Sequence, residues 1–175
     1  MIKTVPDLPV VAPGVYRVDV EASRIGFTTR HMFGLGPVKG TFALTAGQIT
    51  VADAPENSSV QATASAASFN TRNPLRDVQV RGPLFLNAKR HPQLSFRSSS
   101  IAFAPDGATI HGTLQARGGE APLVLSASDI DVTDGVLTAT ATGQVDRYAL
   151  GVRTMPGMAA RNLDVTIRIA ARVLS

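Results

Sequence analysis

Leu163-Asp164-Val165-Thr166-Ile167-Arg168-Ile169-Ala170-Ala171-Arg172-Val173 divides its residues by parity. Leu163, Val165, Ile167, Ile169, Ala171 and Val173 are apolar, and Asp164, Thr166, Arg168, Ala170 and Arg172 between them are mostly polar. A period of two is that of a β-strand with one face buried. Slipping such a strand by one residue would turn Asp164 and Arg168 inward, so the pattern also fixes its register.

The same period extends outward through the chain. Ile25, Phe27 and Thr29 alternate with Arg24, Gly26, Thr28 and Arg30, and Val38, Gly40, Phe42 and Leu44 alternate with Lys39, Thr41 and Ala43. These two stretches read as paired strands joined by a Gly34-Leu35-Gly36-Pro37 turn. Further strands are expected at 48–52, 60–69, 93–103, 108–114, 123–132 and 137–145. The links between them carry turn residues: Asp53-Ala54-Pro55-Glu56-Asn57, Pro105-Asp106-Gly107, Arg117-Gly118-Gly119-Glu120 and Asp134-Gly135. Residues 71–92 break the rhythm. Asn73-Pro74, Gly82-Pro83 and His91-Pro92 forbid one long strand there and point to short helical turns, an insertion suited to capping the end of a barrel.

Eight or nine short strands in 175 residues make one all-β domain, either a sandwich or a barrel. Side-chain size favours the barrel. Val60-Gln61-Ala62-Thr63-Ala64-Ser65-Ala66-Ala67-Ser68 and Thr138-Ala139-Thr140-Ala141-Thr142-Gly143 are built from small residues, tryptophan is absent and aromatics are 5% of the chain. Facing sheets about 10 Å apart need bulkier side chains to pack. A closed or nearly closed, antiparallel, eight-stranded barrel with a short helical insertion keeps instead a lumen wide enough for one small ligand.

Composition removes several classes of function. With no cysteine there is no disulfide framework and no thiolate chemistry. Seventeen Lys and Arg against thirteen Asp and Glu give a net charge of +4 without a basic block, which argues against nucleic-acid binding. No run of about 18 apolar residues is present to span a membrane. Pro6, Asp7, Pro9 and Pro13 interrupt the early apolar stretch, so no signal peptide is visible and the cytoplasm is the expected location.

Seven ordered segments resemble the YceI-like family, known as polyisoprenoid-binding and lipocalin-like. They are Tyr16-Arg17-Val18-Asp19 with Ser23-Arg24-Ile25-Gly26-Phe27 and Arg30-His31; Val38-Lys39-Gly40-Thr41-Phe42; Ala67-Ser68-Phe69-Asn70-Thr71 with Arg76-Asp77; Phe85-Leu86-Asn87 with His91-Pro92-Gln93-Leu94-Ser95-Phe96-Arg97-Ser98; Gly112-Thr113-Leu114; Pro122-Leu123-Val124-Leu125; and Asp146-Arg147-Tyr148-Ala149-Leu150-Gly151-Val152. The resemblance covers residues 16 to 173. It implies a lipocalin-like barrel over 14–175 after an extension over 1–13, an isoprenoid or other long apolar lipid as ligand, and a homodimer. Where the family pattern expects histidines this chain has Ala22, Gln79 and Arg117, and where it expects a lysine it has Ala121. Those departures argue against histidine-based chemistry and for a divergent branch.

No catalytic, metal or cofactor site is expected. His31, His91 and His111 lack metal-ligand spacing, and His111 shares an outward strand face with Thr109 and Thr113. Arg76-Asp77 reads as a salt bridge pinning the insertion to the barrel rim. Ser98-Ser99-Ser100 lies in a strand without a nucleophile elbow, and Gly34-Leu35-Gly36 is too short for a phosphate loop. Binding by apolar contact remains. The alternation places Ile25, Phe27, Phe42, Phe69, Phe85, Leu94, Phe96, Leu114, Leu125, Leu137, Ile167 and Ile169 on the inner wall as ligand-binding candidates. The rival reading is a hydrolase or other enzyme using Arg76, Asp77 and His91 at the barrel mouth on a hydrophobic acyl or prenyl substrate. A third is a structural partner whose barrel is vestigial, with an exposed apolar patch.

Overall fold

The computed structural model describes residues 11–30 and 36–174. The strands are β1 (Gly14–Val18), β2 (Arg24–Thr29), β3 (Val38–Phe42), β4 (Leu44–Val51), β5 (Ser59–Ser65), β6 (Gln93–Ala104), β7 (Gly107–Ala116), β8 (Gly119–Thr133), β9 (Val136–Asp146) and β10 (Asn162–Val173). Among the described residues one α-helix, α1 (Pro74–Arg81), lies between β5 and β6. Every strand pairing is antiparallel.

The ten strand segments fill eight positions around a closed barrel. β10 closes it. Its end pairs with β1, Val18 opposite Ala171, and its start pairs with β2, Arg24 opposite Arg168. β1 and β2 therefore occupy one position interrupted by residues 19–23, and β3 and β4 occupy the next. The interruption is stitched by Ser23, whose hydroxyl donates to the Asp19 carbonyl at 2.7 Å and accepts from the Ala170 N–H at 3.1 Å. The alternation of residues 163–173 thus belongs to the strand on which closure depends.

Turn chemistry positions the hairpins. Asp134-Gly135 and Arg117-Gly118 are two-residue links with φ of 53° and 75°, and of 53° and 73°. Positive φ at both central residues gives the backbone twist that suits adjacent strands. Bulges between Leu44 and Ala46, Ser98 and Ser100, and Ser128 and Asp131 bend the strands that carry them.

The structure differs from the sequence expectation at several points, among them Ala43, where the stretch read as one strand over 38–44 divides into β3 and β4. The strand expected over 60–69 ends at Ser65, and a single 3-10 turn over Ala66–Ser68 swings Phe69 beneath the cap. Residues 14–18, whose alternation is short, form β1. The expected Arg76–Asp77 salt bridge is replaced by joint attachment to Thr71: Asp77 accepts from its N–H and hydroxyl, while Arg76 Nε donates to its hydroxyl at 2.9 Å. Asn73 caps α1 by accepting from the Arg76 N–H at 3.2 Å, and Pro74 sits in the first turn, where its missing N–H costs nothing. His31 and the Gly34-Leu35 half of the expected turn lie outside the described residues, although β2 and β3 pair as the sequence implies.

Buried apolar residues form three groups in order along β10. One holds Phe27, Phe69, Val80 and Phe85 near Leu163, the next Phe96, Ile110 and Leu125 near Ile167, and the last Tyr16, Val18 and Leu137 near Ala171. The first group lies under α1 and the segments 82–92 and 147–161, which together cap one end. Several ties hold that cap: Arg117 donates to the Pro83 carbonyl at 2.6 Å, Leu86 N–H donates to Val80 at 2.9 Å, and the Thr154 hydroxyl donates to the Leu84 carbonyl.

A candidate binding cavity inside the barrel

Along β10 the inward residues Leu163, Val165, Ile167 and Ile169 are only half-buried, although they are its most apolar positions. They face an unfilled space. Small residues elsewhere on the wall explain it: β5 contributes Ala62 and Ala64, and β9, the neighbour of β10, contributes Ala139 and Ala141, where a filled barrel would carry larger side chains. The result is a cavity of about 320 Å³ running most of the barrel's length, from Val11 and Val51 near one end to Leu150 and Ala159 under the cap.

All twelve residues expected on the inner wall line this cavity. Ile25 and Phe27 come from β2, Phe42 from β3, Leu94 and Phe96 from β6, Leu114 from β7, Leu125 from β8, Leu137 from β9, and Ile167 and Ile169 from β10. Phe69 and Phe85 reach in from the segments flanking α1. At the capped end Phe27 stacks on Phe69 with centroids 5.2 Å apart, and Phe42 meets both rings at 5.5 and 5.6 Å. Gly40 makes this packing possible, since a Cβ there would fall 2.3 Å from Phe27 Cζ and 2.8 Å from the Asn70 carbonyl oxygen.

The wall is apolar apart from Ser58, Gln61, Thr63, Ser95 and one charged residue, Arg147. In the sequence Arg147 stands out only as part of the family-like segment 146–152. The segment around it lacks the strand alternation, so periodicity gives no direction for its side chain. The guanidinium donates to the carbonyls of Ala160, Val152 and Ala159 at 2.7, 2.8 and 2.9 Å, and lies 5.0 Å from the Tyr148 ring centre and 5.8 Å from that of Phe85. Burial lowers its pKa from the ordinary arginine value, partly opposed by Tyr148 and Asp146. Its role is to hold the returning 152–160 loop across the barrel end.

The groups of the rival enzyme reading do not face the cavity. Arg76 and Asp77 converge on Thr71, and half-buried His91 packs beside Gly118. Ser98 accepts from the Val60 N–H at 2.8 Å and Ser99 donates to the His111 carbonyl at 3.2 Å, so both are absorbed in strand pairing. His111 is exposed.

The YceI-like domain matches residues 16–172. Protein YceI of Escherichia coli O17:K52:H18 is 27% identical over 162 residues, which is 88% of this chain and 84% of that protein. In structure, BcnA of Burkholderia cenocepacia aligns with a TM-score of 0.78 at 22% identity, over 87% of this chain and 98% of BcnA. A polyisoprenoid-binding domain from Saccharophagus degradans, implicated in plant cell wall breakdown, aligns with a TM-score of 0.68 at 13% identity, over 93% of this chain and all of that domain.

Proposed function

Because this chain belongs to the YceI-like family, we propose that its barrel binds, stores or transports an isoprenoid-type lipid and carries out no turnover. The observation that carries this reading is the lumen itself, an elongated space walled by apolar side chains from every strand. A prenyl chain offers almost nothing to hydrogen bonds. Its recognition rests on length and apolar surface, at roughly 25 cal/mol for each Å² removed from water. Arg147 already satisfies three carbonyls, so the wall demands no charged head group. The binding of polyisoprenoid by the Saccharophagus domain supports the same class of ligand.

Extraction of natively purified protein followed by mass spectrometry tests the proposal. A prenyl lipid in near-equimolar amount is the expected result. Protein that comes out empty and fails to take up added prenyl alcohol would overturn it. The proposal also includes a cytoplasmic homodimer, tested by light scattering and cell fractionation. Alanine at Arg76, Asp77 and His91 is expected to leave lipid content intact in whatever fraction of the protein stays folded.

A further inference from the structure

Helix α1 is turned inside out. Its one carboxylate, Asp77, is buried with Val80, while Leu75 and Val78, three positions apart on one helix face, are 86% and 68% exposed. The rest of the cap repeats this. Leu84 is 61% exposed and Met158 49%, so four of the eight large hydrophobic residues exposed among the described residues belong to it. The Thr154 bond to the Leu84 carbonyl, the bond from Gln79 to Met155 Sδ at 3.8 Å and that from the Met158 N–H to the Met155 carbonyl at 3.2 Å tie these residues into one cap.

Charge is sorted in the same direction. Segments 71–92 and 147–161 hold eight of the seventeen Lys and Arg but one of the thirteen Asp and Glu, the buried Asp77. The remainder of the chain has nine basic and twelve acidic residues (17 less 8, 13 less 1), so the cap is strongly positive on an otherwise negative molecule. Arg72, Lys89, Arg90 and Arg153 are exposed there. Three rim carboxylates lie at this end, Asp146 paired with Arg161, and Glu120 and Asp164 accepting from Gln115 and Gln144; they lower the cap's charge from +7 (8 less 1) to +4 (7 less 3) and leave it positive.

We propose that this cap is a docking surface for an anionic lipid bilayer. Exposed leucine, valine and methionine side chains enter the acyl boundary while the surrounding cations meet the headgroups, two contributions that reinforce each other at a membrane and have no use in water. Docking so oriented lays the cap, and the lumen end beneath it, against the bilayer. It does not depend on what the lumen holds.

Sedimentation with vesicles tests it, using the full chain and vesicles of phosphatidylcholine alone or mixed with phosphatidylglycerol. Native protein is expected to bind the mixed vesicles and to be released by high salt. L75S/V78S and, separately, K89E/R90E should each weaken binding about tenfold. R97E/R168E, which changes two exposed arginines of the barrel wall and shifts net charge equally, should leave binding within about twofold of native. Thermal melts confirm that each variant is folded. Failure to bind mixed vesicles, equal losses in the wall control and the cap variants, or native binding by L75S/V78S would each overturn the proposal. So would a dimer that L75S/V78S dissociates, with no vesicle binding by the native protein. Lipid extracted from L75S/V78S reports on the lumen separately, because neither residue lines it.

Discussion

The carboxylate of Asp77 is held by a single residue, Thr71, whose N–H donates at 3.0 and 3.1 Å to its two oxygens and whose hydroxyl donates at 2.5 Å to one of them. Both partners are buried. Replacing Asp77 by alanine strands those donors away from water and frees the start of α1. A loss of about 2–3 kcal/mol is expected from urea unfolding, with D77N milder because one acceptor survives. Hydrogen exchange should rise first over residues 71–82.

Arg147 makes a second prediction. R147M keeps much of the side-chain volume but leaves three carbonyls of the 152–160 loop without their donor. A destabilisation of about 3 kcal/mol is expected, together with faster amide exchange in that loop. Unchanged exchange there would assign the loop's order to its apolar anchors, Val152 and Ala159.

Acid sensitivity follows from Asp146. Its hydrogen bonds from Arg161 at 2.9 and 3.0 Å are the largest cause holding its pKa below the usual carboxylate value, with the Tyr148 N–H contributing and burial opposing. A carboxylate whose pKa is lower folded than unfolded stabilises the fold above its unfolded pKa, about 3.9, and loses that contribution as pH falls through the folded value. The difference in melting temperature between native protein and D146N should therefore be full at pH 6 and shrink below about pH 4. It should be small, because the pair is largely exposed and screened.

Filling the lumen separates binding from folding. Ala141 faces the cavity from β9, opposite Ala127 and Ile167 on its neighbours. A141F directs a ring into empty space instead of into packed core, so stability should change by less than about 1.5 kcal/mol while extracted lipid falls severalfold. A lipid content unchanged from native would place the ligand outside the barrel.

Much of this architecture was legible because strands write their burial in plain alternation. β10 fixes the register of closure, and alanines in β5 and β9 mark the hollow, so the ten wall residues that stand on strands are legible from alternation, whereas Phe69 and Phe85 stand outside the strands. Legibility fails where the backbone leaves that period. Ala66-Ala67-Ser68 suits strand or turn equally well, and only the position of Phe69 under the cap decides. Arg76 and Asp77 are both bound by Thr71, a partner that no spacing rule singles out. Arg147 is buried by a loop that returns to it from 13 residues further on, as the Ala160 carbonyl shows. The membrane-facing character of the cap is likewise a property of which side of α1 turns outward, and that depends on Asp77 finding Thr71.

Closure by β10 also has a temporal meaning. β1 and β2 have no seam to close until β10 arrives beside them, with Val18 and Ala171 separated by 153 residues (171 less 18) and Arg24 and Arg168 by 144 (168 less 24). Without β10 the sheet lacks its pairings to β1, β2 and β9, and contacts so distant in sequence form slowly. A ligand present at that stage meets a trough instead of a sealed tube. The docking of one strand thus decides whether the lumen is a tube or an open trough.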